Sequence, residues 1–256
     1  MLGYHCRWSE HMTWDGEPLQ VVAVETEYRA PLVNPETGCP SLTFQRAGKI
    51  DAVVRETQTG RAWLVEHKSS AEDFGPGTEY RRRLILDPQI SHYHVGGRAL
   101  GHDVQGCIYD VLKRPGLEPK KATPADKLRW TKATAKEPAR PYAGQRLADE
   151  TPDEYGARIR EDIAENLKRY FARFMVVRLE DEKRASAVND WQTALMIRAS
   201  QRLNLWPQNP GACGMYGRSC AFLGACSGYE DIEDPTRFRR AERPHEELSA
   251  PVGAGQ

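Results

Sequence analysis

The stretch "GKIDAVVRETQTGRAWLVEHKSS", Gly48 to Ser70, decides how the chain is read. Two apolar runs flank Thr57 to Gly60, and Gly60 is free to take positive φ, so the segment reads as a hairpin. Asp51, Glu66 and Lys68 interrupt those runs where a plain strand would carry Val or Ile. On a strand, residues two apart share a face. Glu66 and Lys68 therefore project together, and Val65 and His67 point the other way. Pairing around the turn brings Asp51 near Glu66. Two close carboxylates repel, and burying them unpaired is costly. A divalent cation removes that cost, and hard oxygen ligands suit Mg²⁺ or Mn²⁺. The Lys68 ammonium can then hold an attacking water and offset charge building on a phosphate. The chemistry expected of such a set is metal-assisted hydrolysis of a phosphodiester. A D-x14-E-x-K spacing also fits a hairpin with a charged outer face, but the apolar neighbours of each charge argue against it.

Outward from the hairpin, Leu19 to Tyr28, "LQVVAVETEY", reads as a preceding strand. The hairpin strands span Leu42 to Glu56 and Arg61 to Ser69. Tyr80 to Leu100 is helical in pattern, with Pro88 setting a start or a kink near Asp87. Asp103 to Lys113 reads as a strand stopped by Arg114-Pro115-Gly116. Thr151 to Phe171 reads as a helix, with Thr151, Pro152 and Glu154 forming a capping-box start. Phe174 to Leu179 reads as a short strand and Asp181 to Leu203 as an amphipathic helix. Three strands, a helix, a strand and then helices predict an α/β fold with a mixed central sheet flanked by helices. One domain is expected over residues 1–230, followed by a disordered tail over 231–256.

The chain has 256 residues, with Lys+Arg and Asp+Glu balanced at 36 each. Zero net charge neither demands nor forbids nucleic acid; distribution matters more. Between Lys113 and Arg146 ten basic residues face three acidic ones. This irregular segment, 114–150, reads as a basic insertion, with Lys113, Arg114, Lys120 and Lys121 as DNA-contact candidates. Taken alone, such a run reads first as a solvated loop leading into a charged helix; next to a nuclease-like site it reads differently. No apolar run reaches the length of a membrane-spanning helix, and the first residues lack a signal-peptide core, so a cytoplasmic, non-membrane protein is expected.

Gln89 and Tyr93 lie four apart on the helix that follows the hairpin and share a face. Near the C-terminus, Cys213-x6-Cys220-x5-Cys226 sits in a glycine-rich loop over 206–228. In a reducing compartment these thiols suggest a metal rather than disulfides. Zinc would want four ligands and tighter spacing, and an iron–sulfur cluster normally takes four cysteines. Three unremarkable thiols also fit.

Gly48-Lys49-Ile50-Asp51, Glu66-His67-Lys68 and Gln89-x-x-x-Tyr93 resemble the motifs of the PD-(D/E)XK nuclease superfamily, in particular its RecB-like exonuclease branch. "VVAVETEYRAPLVNPETG", "GCIYDVLKRPGLEPKKATP" and "NPGACGMYGRSCAFLGAC" are similar to segments of phage-type members. The resemblance implies a restriction-endonuclease-like core and a Mg²⁺- or Mn²⁺-dependent DNA exonuclease. Asp51, Glu66 and the His67 carbonyl would bind the metal, Lys68 would be the catalytic lysine, and Gln89 and Tyr93 would shape the strand-binding side. It further implies a [4Fe–4S] cluster on Cys213, Cys220 and Cys226 with an upstream cysteine, for which Cys6 is the candidate. A phage- or prophage-encoded protein working in a bacterial cell with a recombination or single-strand annealing partner follows from the same likeness. Relatives carry a helical segment with a cysteine and a Gly-x-x-x-His-like motif before the stretch that resembles "MLGYHCRW". The expectation is a chain shortened at its N-terminus; in the alternative, Cys6 with His5 or His11 takes over those roles. Two other classes stay open: a DNA-binding scaffold with a disabled site, and an unrelated zinc protein.

Overall fold

The computed structural model describes residues 13–14, 16–135, 137–242, 245 and 248. Six strands form one sheet in the order β1-β2-β3-β4-β5-β6: Thr13–Trp14, Glu17–Val33, Pro40–Glu56, Ala62–Ser70, Val104–Lys113 and Phe171–Val176. β4 and β5 run parallel and every other neighbouring pair is antiparallel. The sheet is therefore mixed and flanked by helices, as the sequence predicts. A parallel pair needs a crossover. It is made by α1 (Glu79–Arg83), a 3₁₀ turn (Leu84–Leu86) and α2 (Pro88–Ala99). α3 (Pro152–Glu165), α4 (Leu167–Tyr170), α5 (Glu180–Leu203) and α6 (Leu223–Cys226) follow.

α2 starts where Pro88 forces it to. Asp87 holds an extended backbone, its side chain accepts the Gln89 N–H at 2.8 Å, and Pro88 occupies the first turn. One face of the sheet packs against α2 through Tyr28, Ile50, Val53, Leu64, Ile90 and Tyr93. The other buries Leu19, Ala52, Val54, Trp63, Val65 and Ile108. Full burial of a side chain such as Ile50, Leu64 or Ile90 contributes roughly 1.5–3 kcal/mol. Gly96 brings α2 close to the sheet: a Cβ there would stand 2.5 Å from Tyr28 Cδ1.

Two expected boundaries move. The helix beginning at Thr151 keeps its capping box but breaks at Asn166, and the last strand runs Phe171–Val176 rather than 174–179. Pairing explains the shift: Phe171 to Val176 lie against Leu112 to Cys107 of β5, so the sheet draws in Phe171, which the helical pattern had claimed, together with Ala172 and Arg173. The segment 114–150 carries no helix or strand among its described residues, only the isolated bridge Trp130↔Pro141. Past residue 230 the Phe238 ring stacks on Phe222 at 5.6 Å.

Candidate active site at the parting of two strands

The β3–β4 ladder runs from Arg55↔Ala62 to Ala52↔Val65 and stops there. Beyond that point β3 pairs with β2, and β4 pairs with β5. The two strands part at Asp51 and Glu66, which stand at the apex of the opening. Asp51 closes the ladder with its side chain: Oδ2 accepts the His67 N–H at 3.0 Å.

Five of the residues expected from sequence meet here. The Lys68 ammonium contacts Glu66 Oε1 and donates to Gln89 Oε1 at 2.8 Å. Gln89 Nε2 donates to the Tyr93 hydroxyl at 2.9 Å, and that hydroxyl faces Asp51 Oδ1 at 3.4 Å. Asp51, Glu66, Lys68, Gln89 and Tyr93 thus form one chain of polar contacts. It joins β3, β4 and the first turns of α2. Glu66 is 1% exposed, yet its Oε2 has no hydrogen-bond partner among the described residues.

Burial pushes the Glu66 carboxyl up from the usual range; Lys68 opposes the rise, the Asp51 charge adds to it, and the Tyr93 hydroxyl opposes it in turn. Burial and the two carboxylates also raise the Tyr93 hydroxyl, which stays a neutral donor. The resulting site is a pair of carboxylates, Glu66 buried and Asp51 half-buried, with one ammonium, one acid oxygen being left unmatched. Oxygen donors and excess negative charge fit a hard divalent cation. Glu66 Oε2 and Asp51 could take part in holding it. Among the described residues no three His, Cys, Asp or Glu side chains gather as a metal site.

His67 points to the far face of the sheet. Its Nδ1 lies 3.3 Å from Asp110 Oδ2, to which Arg173 Nη2 also donates at 3.0 Å. His67, Asp110 and Arg173 are register partners on β4, β5 and β6, so the row fixes the peptide that holds Asp51. The bond to Asp110 raises the His67 pKa, opposed by burial. The sequence carries no local sign of this row, because it is made by register across three strands.

Arg178 also escapes sequence reading. Its guanidinium donates to the Leu84 and Asp87 carbonyls, both at 2.7 Å, and to Ser91 Oγ at 2.9 Å. It ties the break before α2 to the end of β6 and so positions Gln89.

The other expected residues lie apart from the cleft. Lys113 and Arg114 line a cavity of about 470 Å³ with Arg169, where the parallel strands β4 and β5 end. The Lys121 ammonium is paired with Asp149 at 3.1 Å, and the Lys120 N–H donates to Glu150 Oε2 at 2.8 Å. Cys213, Cys220 and Cys226 are free thiols that do not converge into a metal-ligating group among the described residues. Cys6, His5 and His11 lie outside the described residues. Cys107 is fully buried, and burial raises its thiol pKa, as suits a core residue.

No family model, no curated protein and no solved structure matches this chain. Among the described residues no helix is long and apolar enough to cross a membrane.

Proposed function

We propose that the chain is a Mg²⁺- or Mn²⁺-dependent deoxyribonuclease of PD-(D/E)XK type, acting as an exonuclease in recombination, repair or DNA processing. The observation that carries this reading is the buried, unmatched Glu66 Oε2 beside Asp51, within a contact chain that includes Lys68. A cation held by Asp51, Glu66 and the His67 carbonyl would supply Lewis acidity toward the phosphoryl oxygen and the attacking water. Lys68 uses two of its three N–H donors on Glu66 and Gln89. The third is left for a water or a phosphoryl oxygen, where a cation offsets developing charge. Gln89 restrains the ammonium, and Tyr93 offers a neutral hydroxyl between Gln89 and Asp51. Lys113, Arg114 and Arg169 would meet DNA phosphates beyond the cleft. The [4Fe–4S] cluster on Cys213, Cys220, Cys226 and Cys6 and the recombination partner belong to the same reading, and no step of the reaction depends on them.

The test is cleavage of linear single- and double-stranded DNA with Mn²⁺. Lys68→Ala and Asp51→Ala should each lower the rate by roughly a thousandfold, as loss of a transition-state electrostatic partner does. Wild-type cleavage that survives in both variants would remove these residues from the reaction. A wild-type protein that binds DNA without cutting it under any divalent cation would favour a scaffold.

A further inference from the structure

On the side of α2 away from Gln89, a cavity of about 260 Å³ opens between this helix, β3 and the start of α5. Its lining includes Arg46, Ser91, His94, Arg98, Lys183 and Arg184. Ser91 and His94 are buried, whereas Arg98 lies exposed. Two nitrogens of the lining, His94 Nε2 and Arg46 Nε, are buried without a hydrogen-bond partner among the described residues. Buried polar atoms without partners are rare, and each calls for a reason.

Positive charge exceeds negative charge around this space. Glu180 pairs with Lys183 at 2.8 Å, Asp190 with Arg46 at 2.8 Å and Glu36 with Arg184 at 3.5 Å. The Arg98 side chain makes no ion pair or hydrogen bond among the described residues. Behind the lining, the buried Arg178 guanidinium donates to Ser91 Oγ at 2.9 Å. Burial first, then Lys183, Arg178 and Arg98, hold the His94 pKa down at about 4, with Glu180 opposing. The ring is therefore neutral at pH 7, where it can offer one N–H without needing a counter-charge.

We propose that this cavity binds a phosphate group. An oxyanion would accept from His94 Nε2 and Arg46 Nε while Arg98 and Lys183 balance its charge. The space is several times the ~30 Å³ of one water in the liquid, enough for a tetrahedral anion with part of its hydration or its ester group. The phosphate could belong to a nucleic-acid strand or to free phosphate or a mononucleotide. The inference does not rest on the nuclease reading, because binding here needs no divalent cation and no cleavage.

The test uses the full chain in chelator, titrated with inorganic phosphate against chloride at matched ionic strength. Affinity is read by calorimetry, and the His94 ring signals are followed by NMR. Saturable phosphate binding is expected, with a shift of the His94 resonances. Arg98→Glu, at an exposed position, should weaken it roughly tenfold or more, the size of one charge-assisted hydrogen bond. Lys183→Gln should weaken it in the same direction. A short oligonucleotide that gains affinity from a terminal phosphate assigns the site to a strand. Deoxyadenosine 5′-monophosphate or free phosphate binding as tightly as that oligonucleotide assigns it to the free anion. Phosphate acting no better than chloride, or both variants binding as the parent does, would overturn the proposal.

Discussion

The face of α2 that carries Gln89 and Tyr93 differs from the face that carries Ser91, His94 and Arg98 in how polar atoms are matched. On the first, side chains answer one another: Lys68 to Gln89, Gln89 to Tyr93, Tyr93 to Asp51. Among the described residues the gap there is an acid oxygen, Glu66 Oε2. On the second, the gaps are nitrogens, His94 Nε2 and Arg46 Nε, in a field raised by Arg98, Arg178 and Lys183. One helix therefore separates a space suited to a cation from a space suited to an anion. The sign of the unmatched atom is the more telling quantity, since the sequence as a whole is neutral.

The strongest way to break this contrast is to let His94 titrate. In an unfolded chain its imidazole takes up a proton near pH 6.5; in the fold, burial and the nearby cations delay this to about pH 4. The folded state then binds fewer protons than the unfolded state between these values. Stability present above pH 6.5 is lost as pH falls through that window, by up to about 3 kcal/mol. Urea unfolding followed from pH 7.5 to 4 should show this slope, and His94→Gln should flatten it. Equal slopes in parent and variant would mean that the pocket does not hold His94 neutral, and the contrast would fail.

The two faces were not equally legible in the sequence. Asp51, Glu66 and Lys68 lie on adjacent strands of one hairpin, and Gln89 and Tyr93 share a helical face just after it. Period-two and period-four spacing are enough to bring such residues together, and the structure does so. The basic pocket draws Arg46 from β3, His94 and Arg98 from α2, and Lys183 and Arg184 from α5. No spacing rule links these positions. Arg178 gives no local signal either, because its partners are carbonyls of a turn more than ninety positions upstream. The same limit misplaced β6: Phe171 to Met175 suits a helix or a strand until β5 is there to pair with it.

A smaller effect tests whether one rigid helix holds both sites in place. Gly96 lets the Tyr28 ring lie against α2, and Gly48 admits the same ring from β3. Gly96→Ala puts a methyl group 2.5 Å from Tyr28 Cδ1, and Tyr28 is buried with the core behind it. Overpacking of this kind costs about 2 kcal/mol, partly offset by the better helix propensity of Ala. Thermal melting should show the loss, and phosphate affinity and DNA cleavage should fall together because α2 moves as a unit. Loss of one function alone would indicate that the sites are positioned separately.

Gln89→Ala should have the smallest effect and the sharpest meaning. Gln89 is half-buried at the start of α2, and its backbone cap on Asp87 survives the change. The variant removes the acceptor for the Lys68 ammonium and the donor to Tyr93. Lys68 keeps Glu66, so the ammonium is loosened rather than lost. A hydrogen bond to a charged group is worth about 1.5–3 kcal/mol in place. With Glu66 still holding the ammonium, the lower end applies, or about tenfold in the cleavage rate. Phosphate affinity in chelator should not change, because Gln89 lies on the other face of α2 and outside the pocket lining. Equal falls in cleavage and phosphate binding would mean that the two faces form one continuous site. A fall in cleavage alone leaves the acid gap at Glu66 and the basic gap at His94 as separate sites on one helix.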